Sequence, residues 1–204
     1  VLKGTCVGII GESGSGKSTV VDIALGLLKP RKGRILLDEK DISCELNKYS
    51  WQNMVGYVPQ EIYLTDASLR SNVAFGIEPS QINDDRVWKC LQDANLKNFV
   101  ETLPEGLNTM MGERGTRLSG GQRQRVGIAR ALYRDPEFIV FDEATSSLDL
   151  DSENSIMKII YGLKKRKTFL IIAHRLSTLR NCDFIYKIKD GSIAKSGSYE
   201  KVIT

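Results

Sequence analysis

The feature that most constrains this chain is GESGSGKST at residues 11–19. It follows a short apolar run at 6–10 and opens a stretch, 17–28, whose apolar residues recur at helical spacing until Pro30 stops it. Strand, glycine loop and helix form the context in which the G-x-x-x-x-G-K-[ST] spacing has a physical meaning. Glycines let the backbone curl so that successive N–H groups face phosphate oxygens. The helix N-terminus adds a favourable dipole, Lys17 a mobile cation and Ser18 a hydroxyl for Mg²⁺. Phosphate contact is therefore expected from Gly11, Glu12, Ser13, Gly14 and Ser15, and from Gly16, Lys17, Ser18 and Thr19. Such a pattern arises by chance in roughly one chain in a hundred of this length, so alone it says only that a nucleotide binds.

Strand and helix continue to alternate. Residues 35–37 and 54–58 read as strands, the second closed by Pro59. Between 65 and 117 the pattern changes to short helical segments broken by Gly76, Pro79, Pro104 and Gly106. One helix is expected over 120–134 and, after Asp135 and Pro136, an apolar strand at 138–141. A helix at 152–163, an apolar strand at 168–173 and a hairpin of 184–188 with 192–195, turning at Asp190 and Gly191, complete the series. Continuous apolar strands alternating with helices imply a mainly parallel sheet covered on both faces. The expected division is a core lobe of residues 1–60 and 123–204, with a helical lobe inserted at 61–122.

At 138–143, FIVFDE delivers two carboxylates at the carboxyl end of a buried strand, where open α/β sheets hold their ligands. Without the phosphate loop these acids would read as solvated. With it, Asp142 is expected to hold Mg²⁺ through water, and Glu143 to orient and deprotonate the water attacking a γ-phosphate. At 118–122, LSGGQ sets Ser119 as an N-cap ahead of two glycines at the start of a long helix, a second anion site made of Ser119, Gly120, Gly121 and Gln122. These five letters arise by chance in on the order of one in several thousand such chains, so the two helix starts call for one explanation. A single ATP does not span both within one pair of lobes. The economical arrangement has each nucleotide meet the second motif of a partner molecule, with two-fold symmetry.

In this order, the phosphate loop at Gly11, Gln60 after a strand, LSGGQ, FIVFDE, SSLD at 146–149 and His174 resemble the ABC ATPase family, over nearly the whole chain. The resemblance implies an α/β fold: a P-loop NTPase (RecA-like) core with a mainly parallel sheet, an inserted helical subdomain and a partial antiparallel β subdomain, to which residues 35–42 would belong. It implies ATP and Mg²⁺ as cofactors. It also implies that Gln60 is a coupling glutamine near Mg²⁺, that Asp149 belongs to a loop crossing the dimer interface, and that His174 contacts the γ-phosphate. Taken alone, the chain's only histidine, just past an apolar strand, would read as structural; the strand's carboxyl end is what favours the site. The catalytic set is then Glu143, His174 and Gln60, and the metal set Ser18, Gln60 and Asp142.

The segments EIYLTDASLRSNVAFG at 61–76 and MGERGTRLSGGQRQR look like those of ABC exporters, in which the ATPase follows a membrane domain of the same chain. Glu113 then falls in the family's membrane-coupling loop. The implied partners are a second ABC ATPase domain, identical or not, and the transmembrane domain of the same transporter, at the cytoplasmic face of a membrane. One departure stands out. The family stacks adenine on an aromatic residue well before the phosphate loop, whereas no aromatic precedes Gly11 here. No adenine contact is assigned, and the chain, beginning at Val1 almost on a strand, is expected to be part of a longer one.

Charge and composition narrow the alternatives. Lys and Arg total 29 against 25 for Asp and Glu, with the signs interleaved, so no nucleic-acid partner is expected. The longest basic run, 164–167, reads as a solvated turn favourable to the dipole of the preceding helix. No apolar run approaches the roughly 18 residues needed to cross a bilayer, so the chain as given is expected to be soluble. Cys6, Cys44, Cys90 and Cys182 are scattered without a C-x-x-C pair and read as reduced thiols of a cytosolic protein. A soluble ABC ATPase acting on DNA or ribosomes is the competing function; the lack of a long heptad array and of a second phosphate loop speaks against it. A small P-loop kinase leaves LSGGQ and SSLD unexplained.

Overall fold

A computed structural model describes residues 1–42, 45–146 and 148–203. In chain order β1 (Cys6–Gly11) leads through the phosphate loop to α1 (Lys17–Ala24), then to a short antiparallel ladder of β2 (Leu36–Leu37) and β3 (Lys40–Asp41). Next come α2 (Glu45–Asn53), β4 (Val55–Val58), the short helices α3 (Leu69–Val73), α4 (Asp84–Asp93) and α5 (Lys97–Glu101), and the long α6 (Gly120–Tyr133). The chain closes with β5 (Phe138–Asp142), α7 (Leu150–Leu163), β6 (Thr168–Ala173), the hairpin β7 (Phe184–Lys189) and β8 (Ser192–Gly197), and α8 (Tyr199–Ile203).

Six strands make one sheet in the order β4-β5-β6-β1-β7-β8, parallel except for β8, which runs antiparallel to β7. Period-two alternation sorts the side chains. Val7, Ile9, Val140, Leu170 and Ile172 pack with Val21 and Leu25, on the face that α1 covers. Ile139, Phe141, Phe169 and Ile171 belong to the other face, with Val126 and Ile128 of α6 and Ile156 and Ile160 of α7. The short helices α3 and α4 pack on α6. The α/β architecture, the mainly parallel sheet and the antiparallel fragment agree with expectation, and the hairpin turns at Asp190 and Gly191, both at positive φ.

Several local expectations need correction. Helix α1 stops at Ala24 rather than continuing to 28, because Leu25 caps it and Gly26, at φ 69, turns the chain away. Helix α2 forms where no element was expected; its anchor is Trp51, buried against Phe138 with its indole N–H donated to the Ala24 carbonyl. The basic run 164–167 is more than a solvated turn. Lys164 pairs with Asp183, Arg166 with Asp93 and Lys167 with Asp135, so that charge ties the end of α7 to neighbouring elements. The cysteines are less scattered in space than in sequence: the buried thiols of Cys6 and Cys182 lie 3.3 Å apart, and their mutual hydrogen bond with burial pushes the Cys6 thiol up. Cys44 lies outside the described residues. Among those residues, no helix is long and apolar enough to cross a membrane.

Asp183 carries a pH dependence. Burial pushes its carboxyl up, but the Cys6 N–H and the Lys164 ammonium outweigh it and hold the carboxyl below its ordinary 3.8. A carboxyl that titrates lower when folded stabilises the fold above the unfolded value, and that contribution fades as pH falls through the folded one. Asp183→Asn should therefore lower the melting temperature at pH 7, by no more than about 2–4 °C for a half-exposed pair. The difference from the unmodified chain should narrow as pH falls below 3.8. Melting curves between pH 7 and 3 that keep a constant gap would rule out this linkage.

Candidate nucleotide site

Strands β1, β5 and β6 are neighbours and end on the same edge of the sheet, so the groups that follow them meet. Beyond β1 the loop curls tightly. A Cβ at Gly11 would lie 2.5 Å from both the Ile188 carbonyl oxygen and Ser15 Oγ, so only glycine fits there. Gly16 takes φ 103 as the N-cap of α1 and provides no side-chain cap, leaving the first N–H groups of the helix open to an anion. Ser15 Oγ is buried without a hydrogen-bond partner among the described residues. Lys17 is 5% exposed; its Nζ donates to the carbonyls of Gly11 at 2.9 Å and Glu12 at 3.0 Å.

Asp142 ends β5, and Glu143 follows in the left-handed region at φ 51, which costs a non-glycine residue about 1 kcal/mol or more. Its N–H is fixed to the Ile172 carbonyl at 3.1 Å. From there the Glu143 carboxylate reaches His174 Nε2 at 2.7 Å and stands 3.7 Å from Lys17 Nζ. A recess of about 300 Å³ lies between them, walled by Ser13, Gly14, Gly16, Lys17, Ser18, Thr19, Glu143 and His174. The phosphate loop, the acid after β5 and the histidine after β6 thus come together.

Other expected residues are not in the wall of this recess. Asp142 Oδ2 accepts a hydrogen bond from the Tyr57 hydroxyl at 3.2 Å. Burial pushes the Asp142 carboxyl up, and burial together with Asp142 pushes the Tyr57 phenol up to about 12. Gln60 Nε2 donates to Ser146 Oγ at 3.2 Å and faces a separate cleft bordered by Gly120 and Leu148. Ser119 caps α6 reciprocally: its Oγ accepts from the Gln122 N–H, and the Gln122 side chain accepts from the Ser119 N–H. Gly120 and Gly121 come next, beside Leu148 and Ser152. The tip at 119–122 does not wall the recess that holds Lys17. Asp149 caps α7 by accepting from the Ser152 N–H at 2.9 Å, while Ser147 lies outside the described residues. Sequence reasoning missed Tyr57; only the parallel pairing of β4 with β5, 85 positions apart for this contact, makes it a neighbour of Asp142.

The donors fit MgATP. An unpartnered hydroxyl, an uncapped helix start, a cradle that only glycine allows and a buried lysine suit a triphosphate. Among the described residues no three His, Cys, Asp or Glu side chains gather as a metal cage. Mg²⁺ is commonly held by one or two carboxylates together with substrate phosphates and water, so it needs no such cage; Ser18 lines the recess, whereas Gln60 lines the separate cleft.

Residues 1–146 match the family model described as ABC transporter. ABC transporter B family member 14 of Arabidopsis thaliana is 41% identical over 205 residues, which take in 100% of this chain and 16% of that protein. A multidrug resistance ABC transporter ATP-binding and permease protein of Lactococcus lactis subsp. lactis is 39% identical over 197 residues, 97% of this chain and 33% of its own length. A solved structure of a bacterial Atm1-family ABC exporter with ATP bound superimposes with a TM-score of 0.88 at 36% identity, over 100% of this chain and 35% of that one. The chain thus spans a third or less of the curated relatives it matches. With the family model covering most of its length and relatives aligned nearly end to end, the chain belongs to the ABC transporter family.

Proposed function

We propose that this chain binds MgATP and hydrolyses its γ-phosphate as the ATPase domain of an exporter, and that two such domains complete each other's sites. The observation that carries this reading is the recess in which Lys17, Glu143 and His174 face one another at the mouth of the phosphate loop. Residues 11–19 would wrap the phosphates with backbone N–H groups, and Lys17 would turn its ammonium to the β- and γ-phosphates. Bound Mg²⁺, held by Ser18, Asp142 and Gln60, would neutralise charge on those phosphates. Glu143 would accept the proton of the attacking water, and His174, already against the same carboxylate, would steady it and the γ-phosphate. Tyr57 would orient Asp142.

The core lobe of residues 1–60 and 123–204 would carry this chemistry, and the helical lobe at 61–122 would offer Ser119, Gly120, Gly121 and Gln122 to the nucleotide of a partner domain, identical or not. Asp149 would lie at that interface. Exposed Glu113, in a short helical turn, would face the transmembrane domain at the cytoplasmic side of the membrane. The relatives named above are transporters, which favours export over an ATPase acting on DNA or ribosomes.

The two-chain site has a direct test. Neither Ser119→Arg nor Lys17→Ala should hydrolyse ATP alone. Mixed one to one, half of the dimers pair an intact phosphate loop with an intact tip at one of two sites, so about a quarter of the unmodified activity should return. Mixed dimers that form, as seen by cross-linking, yet stay inactive would confine the site to one chain.

A further inference from the structure

His174 is the chain's only histidine, and it sits in an exposed segment just past β6. What holds the residues after it is a carboxylate in the first turn of α7. Glu153 is 5% exposed; its Oε2 accepts from Arg175 Nη1 at 3.0 Å and its Oε1 from Thr178 Oγ1 at 2.5 Å. Farther along the same helix, the Tyr161 hydroxyl donates to the Thr178 carbonyl at 3.0 Å. Glu153, Arg175 and Thr178 share a pocket of about 170 Å³ with Glu143 and His174. A carboxylate is costly to bury, and an apolar side chain fills such a space at less penalty, so a buried, doubly paired acid beside the histidine asks for a reason.

We propose that Glu153 is a positioning residue: by fixing Arg175 and Thr178 to α7 it aims the His174 ring at Glu143 and at the γ-phosphate. Its consequence for turnover rests on the ATPase reading above. The two carboxylate oxygens each take one donor, which sets the backbone on the far side of His174, while β6 sets the near side. The ring's direction follows from both anchors. Losing one lets the imidazole drift, and a misplacement of about 1 Å at a reacting group is enough for a large loss of rate.

Glu153→Gln keeps the volume and one acceptor but removes the charge that holds Arg175. On the 204-residue chain it should lower kcat roughly tenfold or more and leave KM for ATP within about twofold. Because the effect runs through the histidine, the same change should cost nothing further in a His174→Ala background under single-turnover conditions. Equal losses in both backgrounds would overturn the proposal. Thr178→Val removes one donor at constant volume and takes its place if Glu153→Gln does not give a cooperative melting curve.

A second readout needs no turnover. With one histidine in the chain, the imidazole Cε1–H proton gives a single NMR line. That line should shift and broaden in Glu153→Gln, as it should when its other neighbour is changed in Glu143→Gln, and move less in Glu153→Asp, which keeps the charge. A line that stays in place overturns the proposal even where the unmodified chain hydrolyses no ATP. Absent turnover with a shifted line would sink the ATPase reading alone.

Discussion

Glu143→Gln should lower ATP turnover by about 10²–10⁴-fold and leave ATP binding within about twofold of the unmodified chain. The amide has the size of the carboxylate and is subject to the same left-handed backbone at φ 51, so the fold has no new strain to absorb. What it lacks is the ability to take a proton from water. Binding is spared for an electrostatic reason: the substitution removes a negative charge 3.7 Å from Lys17, the cation proposed to meet the phosphates. If two chains close on the nucleotide, this variant should accumulate as an ATP-bound dimer, visible by light scattering in the presence of MgATP. Undiminished steady-state hydrolysis would remove Glu143 from the role of base.

Lys17→Ala should fail in the opposite way, at binding. Two charge-assisted hydrogen bonds to phosphate oxygens are each worth about 1.5–3 kcal/mol, so their loss should weaken ATP affinity by roughly 10²-fold or more. The residue is 5% exposed and its ammonium already lies against the Gly11 and Glu12 carbonyls, so no long side-chain search is needed for it to reach the ligand. Turnover would fall as well, but as a consequence of empty sites at ordinary ATP concentrations. A fluorescent nucleotide titration separates the two variants, and normal affinity in Lys17→Ala would count against the assignment of the phosphate loop.

How much of this was legible in the sequence depended on whether the determining contacts were local. The phosphate loop announces itself because its glycines, lysine and serine act within nine consecutive residues, between a strand and a helix whose periodicities are plain. Ser119 was legible as a cap for the same reason: its bond partner Gln122 is three residues away. Helix α2 was not, because ELNKYSWQN has little apolar periodicity and is fixed through one tryptophan that reaches back to Ala24. Nor were the partners of Lys164 and Lys167, or the contact of Cys6 with Cys182 across 176 positions, since nothing near either residue specifies the other. Glu153 belongs to this class. Its meaning lies in a residue 22 positions away and in a hydroxyl 25 away.

The order of the strands treats the site's groups unequally. Lys17, Glu143 and His174 hang from β1, β5 and β6, three adjoining interior strands with a neighbour on either side, so their spacing lasts as long as the middle of the sheet does. Gln60 follows β4, at the border, with a single laddered neighbour. Tugging on that border would sacrifice four residues of pairing and leave the phosphate cradle intact. The glutamine proposed to help hold Mg²⁺ therefore follows the one strand of these four that has a single neighbour, and an outside force would separate that strand first, taking Tyr57 and its bond to Asp142 with it.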